Sequence, residues 1–327
     1  MRNLVFRRVL VVASMFVMLS CAGCISIHFL DGGPQPLVES VVYGTSGPKI
    51  LLLDIEGMIS EAAEARGFLT PRGESTVSRV REQLDRARED SGVRALLIRI
   101  NSPGGTATAS DVIYRELLDF KRERGIPVVA QLMGLATSGG YYVAMASDRI
   151  FAHPTTVTGS IGVRFSGVNV SGLMDKLGIE DQTITAGEFK DAGSPLRAMA
   201  AEERAQIQSI LDDLHDRFKV VVAAGRSALD AERIQKLADG RIFSAVQAQA
   251  NGLVDEVGYL KDAVAEIERR AGFESSRVVT YHRPTEWRQN LYTRPPVPSR
   301  LRLDLVSPFL EFPRPGFLYL WAPGVRQ

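Results

Sequence analysis

The sequence predicts an α/β fold of parallel βαβ units followed by a helical C-terminal portion. Three observations carry that expectation. Apolar runs of strand length alternate with amphipathic stretches, glycine-containing segments follow three strand-like runs, and from Met199 the pattern turns to helix.

Residues 49–55 are an apolar run of strand length, and residues 75–89 read as the helix that follows. Residues 93–100 form a second strand and 111–122 a second helix; 128–132 form a third strand, and the segment after Ser138 a third helix. A short fourth strand covers 149–152. Farther on, Ile207, Ile210, Leu211, Leu214, Phe218, Val221 and Val222 recur at helical spacing on one face. Shorter helices are expected near 231–237 and 245–250, with Gly240 between them. The chain divides into a leader (1–24), a Gly- and Pro-containing tether (25–47), a folded domain (48–279) and a tail rich in proline and aromatic residues (280–327). That tail is poor core material, suited to packing along a neighbouring surface, contacting lipid or staying partly disordered.

Composition narrows the function. The 327 residues carry 39 Lys plus Arg against 38 Asp plus Glu, a net charge of +1 with no long basic run, so a nucleic-acid partner is not expected. Both cysteines, Cys21 and Cys24, fall in the leader, which leaves the domain without a disulfide framework or a thiolate metal site. His28, His153, His215 and His282 form no ligand pair of the HExxH kind, so no metal is expected. Lysine occurs only at positions 49, 121, 176, 190, 219, 236 and 261, with arginine at every other cationic position. A buried lysine can lose its proton and an arginine cannot, so each lysine merits inspection.

Arg2, Arg7 and Arg8 precede an apolar run over 9–19, the charge order of an export signal. Ala22-Gly23 before Cys24 resembles a bacterial lipobox, with Cys24 as the lipidated residue; Cys21 after Ser20 is the poorer alternative. A retained membrane-spanning anchor over 9–30 is the competing reading, weakened by Gly23, Ser26 and His28. Either places the domain outside the cytoplasm, in a bacterial cell envelope, attached to the membrane.

Three segments can carry chemistry: Asn101-Ser102-Pro103-Gly104-Gly105, Thr137-Ser138-Gly139-Gly140-Tyr141-Tyr142 and Thr158-Gly159-Ser160-Ile161-Gly162. In a parallel sheet the C-terminal ends of strands share one edge, so the first two should converge there. Ser138, at a strand-to-helix turn, would meet helix N-terminal amides that could hold an oxyanion, with Gly139 as first donor and Gly105 or Gly104 as second. Taken alone, an ordinary N-cap serine explains Ser138 better. For a base, His153 follows a strand beside Pro154 and His215 sits inside an amphipathic helix, so neither is a good candidate. Lys190, in Gly187-Glu188-Phe189-Lys190-Asp191, could serve if burial lowered its pKa from about 10.4. By itself it reads more simply as a surface lysine paired with Asp191 or Glu188.

In combination and order these segments resemble signal peptide peptidase A and its relatives, over about residues 50–279; Gly240-Arg241-Ile242-Phe243-Ser244 and Gly252-Leu253-Val254-Asp255 belong to the resemblance too. The resemblance implies a crotonase/Clp-protease-like fold with stacked βαβ units. It also implies a Ser-Lys dyad of Ser138 and Lys190, Ser160 orienting the lysine, and an oxyanion hole at Gly105 and Gly139. It further implies remnant signal peptides as substrates, no cofactor, and ring-like homo-oligomers with active sites near subunit boundaries. With one copy of each motif, the chain resembles the short form. Thr137 departs from the small residue expected before the nucleophile. An acyl-thioester enzyme of the crotonase type and a non-catalytic membrane-attached ring scaffold are the alternatives.

Overall fold

The computed structural model describes residues 35–62, 74–284, 286, 288–293 and 317–321. The leader, with Cys24, lies outside the described residues. From Leu37 onward the described chain forms one compact unit built on a largely parallel sheet.

Twelve strands are described: β1 (Val38–Tyr43), β2 (Lys49–Glu56), β3 (Val93–Ser102), β4 (Gly104–Thr106), β5 (Val128–Thr137), β6 (Arg149–Ala152), β7 (Val157–Gly159), β8 (Arg164–Phe165), β9 (Ile242–Ser244), β10 (Glu256–Val257), β11 (Arg277–His282) and β12 (Phe317–Leu320). The helices are α1 (Thr76–Glu89), α2 (Ala107–Arg124), α3 (Gly139–Ala144), α4 (Ser171–Leu177), α5 (Ala201–Gly225), α6 (Ala231–Leu237), α7 (Ala245–Ala250) and α8 (Leu260–Ala271). The main sheet runs β1-β11-β2-β3-β5-β6-β10, with β7 paired to β5 and β9 to β7; only the β1–β11 and β7–β9 pairings are antiparallel.

Alternation along the central strands separates two cores. Leu51, Leu53, Ile55, Leu96, Ile98 and Ile100 face one side, where α1, α2 and α3 pack, while Ile50, Leu52, Ala95 and Leu97 face the other and meet Leu260, Val264 and Ile267 of α8. Both faces being covered explains why these strands read as continuous apolar runs. The first two helices start at the expected kind of cap. The hydroxyl of Ser75 accepts from the Ser78 N–H and that of Thr106 from the Ala109 N–H.

Several expected boundaries move: α2 starts at Ala107 rather than 111, β5 runs to Thr137 rather than 132, and both ends of the folded domain shift. Residues 38–43, placed in the tether, form the edge strand β1, because Val-Glu-Ser-Val-Val-Tyr is a β-branched, aromatic run with β11 available to pair. Gly44 turns the chain at φ +70°, where an added Cβ would lie 2.2 Å from the Ser276 carbonyl. At the other end, β11 extends to His282, and parts of the tail are core after all: Leu291 and Tyr319 are 2% and 1% exposed. Leu291 is held by a buried ion network. Asp54 receives Arg99 Nε at 2.6 Å and Arg99 Nη2 at 2.9 Å, and Arg288 Nη1 at 2.7 Å, while Arg99 also donates to the carbonyls of Leu291 and Thr293. On α5, Phe218, Val221 and Val222 are buried, but Ile207, Ile210, Leu211 and Leu214 are only half-covered. The apolar face lies on α5, but its first half is only partly covered within one chain.

Candidate active site

The three glycine segments meet at one edge of the sheet. Ser102 of β3 is in register with Ala136 of β5, and Thr137 of β5 with Gly159 of β7. Parallel pairing brings the ends of these strands, and the loops after them, to a common rim.

Ser138 is the turn between β5 and α3. Its backbone is left-handed (φ 53°, ψ −117°), its N–H donates to the Gly159 carbonyl at 2.8 Å, and its own carbonyl accepts from Tyr142 N–H at 2.9 Å. A non-glycine residue in that region is strained, and strain of this kind persists only where the surroundings enforce it. The side chain makes no capping hydrogen bond. An ordinary N-cap serine would have β-region dihedrals and a capping bond, as Ser75 does, so the plainer reading of Ser138 fails on both counts.

Beside it, β4 brings backbone amides close. A Cβ on Gly139 would stand 3.2 Å from Gly105 N and from Gly104 Cα, and one on Gly104 would stand 2.7 Å from Gly139 N. Gly104 has φ +100°, and Ser102 holds the loop by donating to Gly57 O at 2.6 Å while accepting from Gly104 N–H at 3.0 Å. Only glycine permits this spacing. The backbone amides of Gly139 and Gly105 therefore lie close together next to Ser138, as an oxyanion site requires, while the Gly104 N–H is taken up by Ser102.

Ser138 and Ser160 share a cleft of about 270 Å³ with Arg164, Gly240 and residues of β12. Ser160 is also left-handed (φ 53°), and its N–H donates to Arg241 O at 2.7 Å. Gly240 N–H donates to Ile161 O at 3.1 Å, and Tyr141 Oη to Leu253 O at 2.7 Å. The two distant segments, around 240 and 252, thus brace the loop of Ser160 and the helix behind Ser138. Burial, with the Asp111 carboxylate beside it, pushes the Tyr142 phenol far above its ordinary pKa, so it stays protonated. The Thr137 hydroxyl is buried with no hydrogen-bond partner among the described residues.

Lys190 is placed differently. Its side chain is exposed, in the turns around 187–193, and it is not among the residues lining this cleft. The partner expected of an ordinary surface lysine is also engaged elsewhere: Asp191 pairs with Arg197 at 2.8 Å. Within one chain the structure brings together Ser138, Ser160, Gly105 and Gly139, and leaves Lys190 outside. Among the described residues no histidine lines the cleft. His153 Nδ1 lies 2.9 Å from Thr155 Oγ1, His282 bonds Ser40, and His215 lies on α5. Among the described residues no cluster could hold a metal ion.

Arg164 and the strand β12 were missed in the sequence. The signal for β12 was the run Phe317-Leu318-Tyr319-Leu320-Trp321, five apolar residues standing in a proline-containing stretch.

Comparison with known proteins identifies the family. Residues 120–274 match Peptidase family S49. The chain is 38% identical over 254 residues to a protein of Enterococcus faecium described as "Putative signal peptide peptidase SppA", covering 78% of this chain and 73% of that one. It is 40% identical over 190 residues to "Putative protease slr0021" of Synechocystis, covering 58% of this chain and 68% of the relative. Against "Protease 4" of Salmonella typhi identity is 35% over 221 residues, and the match spans 34% of that longer protein and 67% of this chain. With a strained serine beside paired glycine amides at its sheet edge, the chain belongs to peptidase family S49 and is a serine peptidase.

Proposed function

We propose that this serine peptidase is a membrane-associated endopeptidase with a crotonase/Clp-protease-like fold that degrades remnant signal peptides or similar hydrophobic peptides through a Ser138–Lys190 dyad. The observation that carries the reading is the left-handed Ser138, buried to 1% exposure and next to the amides of Gly139 and Gly105, beside a cleft whose β4 edge pairs with an extended strand. An extended, apolar substrate would add to β4 by main-chain pairing, with pockets reading alternate side chains.

In the proposed chemistry Ser138 Oγ attacks the carbonyl carbon while the neutral Lys190 amine takes the hydroxyl proton. The carbonyl oxygen becomes the oxyanion held by Gly139 and Gly105. The tetrahedral intermediate collapses, the C–N bond breaks, and the leaving amine receives the proton from Lys190, giving an acyl-serine. Water then attacks the ester, the lysine shuttling its proton, and releases the acid and free Ser138. Ser160 hydrogen-bonds the amine and aims it. An amine acts as base only when uncharged, so turnover rises with pH from neutral toward alkaline.

The position of Lys190 supports a homo-oligomeric enzyme whose sites are completed across subunit boundaries. Val168, Leu173, Leu177, Ile179, Ile184 and Phe189 are all exposed, Ile184 to 97%, on the same stretch that carries Lys190. So dense a set of uncovered apolar side chains suits a second copy of the chain. Attachment to a membrane of the bacterial cell envelope, outside the cytoplasm, is proposed through a lipidated Cys24 or an N-terminal helix. Among the described residues no helix is long and apolar enough to cross a membrane.

The test uses two variants and one mixture. Ser138→Ala and Lys190→Ala should each abolish peptide hydrolysis while remaining folded and assembled. After subunit exchange the mixture should regain activity, because some sites then combine an intact Ser138 with an intact Lys190. Wild-type turnover by Lys190→Ala would refute the dyad. A fluorophosphonate adduct located by mass spectrometry should fall on Ser138.

A further inference from the structure

We infer that Arg164 is a specificity-determining residue of the cleft, a guanidinium that receives a carboxylate of the bound peptide, either its free C-terminus or an Asp or Glu side chain. The inference rests on the peptidase reading above and adds the substrate group that the site recognises by charge.

Strand pairing puts Arg164 on the open face of β8. It is in register with Leu318 of β12, and residues directly opposite on antiparallel strands share a face. Leu318 lines the cleft together with Ser138, Ser160 and Arg164 itself. The next pair, Phe165 and Phe317, belongs to the opposite face, where the two rings lie 5.6 Å apart.

The chemistry of the lining is one-sided. Two serines, two glycines and apolar side chains make up the rest of it, and among the described residues Arg164 is its one charged group. Arg164 Nε donates to Ser166 Oγ at 3.0 Å, which restrains the plane of the guanidinium. Among the described residues no carboxylate or carbonyl takes its Nη1 and Nη2 groups. Acids of the neighbouring segments are committed elsewhere. Asp239, next to Gly240 of the lining, accepts from Arg241 Nε at 2.7 Å, and Asp191 pairs with Arg197 at 2.8 Å. A half-buried fork of donors without a counter-ion, in a cleft that admits peptide, matches the two oxygens of a carboxylate.

The proposed substrate supplies such a group. A signal peptide has a cationic start and an apolar run with few acids, and the cut that releases it creates a C-terminal carboxylate after small residues. That carboxylate separates the remnant from an uncut precursor, which its apolar side chains cannot do.

The experiment gives the full, assembled chain fluorogenic peptides of one apolar sequence in two matched pairs, a free C-terminal acid against its amide and an internal Glu against Gln. At least one pair should differ in kcat/KM by about five- to tenfold in favour of the carboxylate, the scale of one solvent-reachable bidentate ion pair. A preference in the first pair assigns the C-terminus as the source, and one in the second assigns the side chain. Arg164→Gln should abolish the difference, and Arg164→Lys should keep part of it, since the charge survives and the fork does not. The same peptides, labelled, are titrated against Ser138→Ala with and without Arg164→Gln, where no bond is cut. No preference in either pair by rate or by Kd, or a preference that outlives Arg164→Gln, would overturn the inference. A preference in Kd that needs Arg164, with no Ser138-dependent hydrolysis of any peptide, would sustain the carboxylate subsite and defeat the peptidase chemistry instead.

Discussion

Replacing Ser138 by glycine should make the protein inactive yet more stable, whereas alanine should make it inactive and leave stability nearly unchanged. Ser138 is held at φ 53°, ψ −117°, a region in which a residue with a Cβ is strained by about 1–3 kcal/mol. Glycine escapes that strain, and its extra freedom in the unfolded chain takes back about 0.5–1 kcal/mol. The net gain is about 0–2.5 kcal/mol, with each kcal/mol raising Tm by about 2–4 °C in a domain of this size. Alanine keeps the Cβ and hence the strain. The hydroxyl it deletes caps no helix, so the loss should stay within about 0.5 kcal/mol. Thermal and urea melts of the three proteins, with peptide hydrolysis as the control, provide the measurement. A glycine variant no more stable than the alanine variant would show that the turn stores no strain, and would remove the main reason for reading Ser138 as an enforced nucleophile.

Gly104→Ala should lower kcat by about 10²–10³-fold, the usual effect of losing one oxyanion donor, because its Cβ would intrude 2.7 Å from Gly139 N; steady-state kinetics decide this. Asp54→Ala should destabilise the fold by about 3–5 kcal/mol in urea melts, since it strands Arg99 and Arg288 at 1% and 3% exposure. Burial raises the Asp90 pKa, but hydrogen bonds from Lys49, Tyr281 and the Gly92 amide outweigh it and bring the carboxyl to about 2. Because the folded value lies below the free value of 3.8, its contribution is complete above about pH 4 and disappears as pH falls toward 2. Asp90→Asn should flatten the fall in stability across that window, and an unchanged slope would assign acid sensitivity to other carboxylates.

Local pattern made much of the sheet readable. The runs that became β2, β3, β5 and β6 are apolar because both faces of a parallel sheet are covered, and Ser75 marked the start of α1. The strands β1, β4 and β7 to β12 escaped notice for a different reason. Most are two to six residues long, and a strand that short is defined by its partner rather than by its own periodicity. The convergence of the first two glycine segments was legible from their places after strands, whereas Ser138 stood out only in combination with the other segments, and the Ser160 segment joined them only in the structure. The fate of Lys190 was not, because burial belongs to the surroundings and not to the residue.

By itself the sequence determined the α/β class, the serine and glycine segments at the strand ends, and the family. Spacing and residue type are local properties, and strand-end chemistry depends on little else. Tertiary structure alone decided that Ser138 is left-handed, that Lys190 faces outward within a single chain, and that five residues near the C-terminus lie beside the nucleophile. These three facts depend on which segments meet across nearly two hundred positions of chain, and no local pattern of side chains records such a meeting.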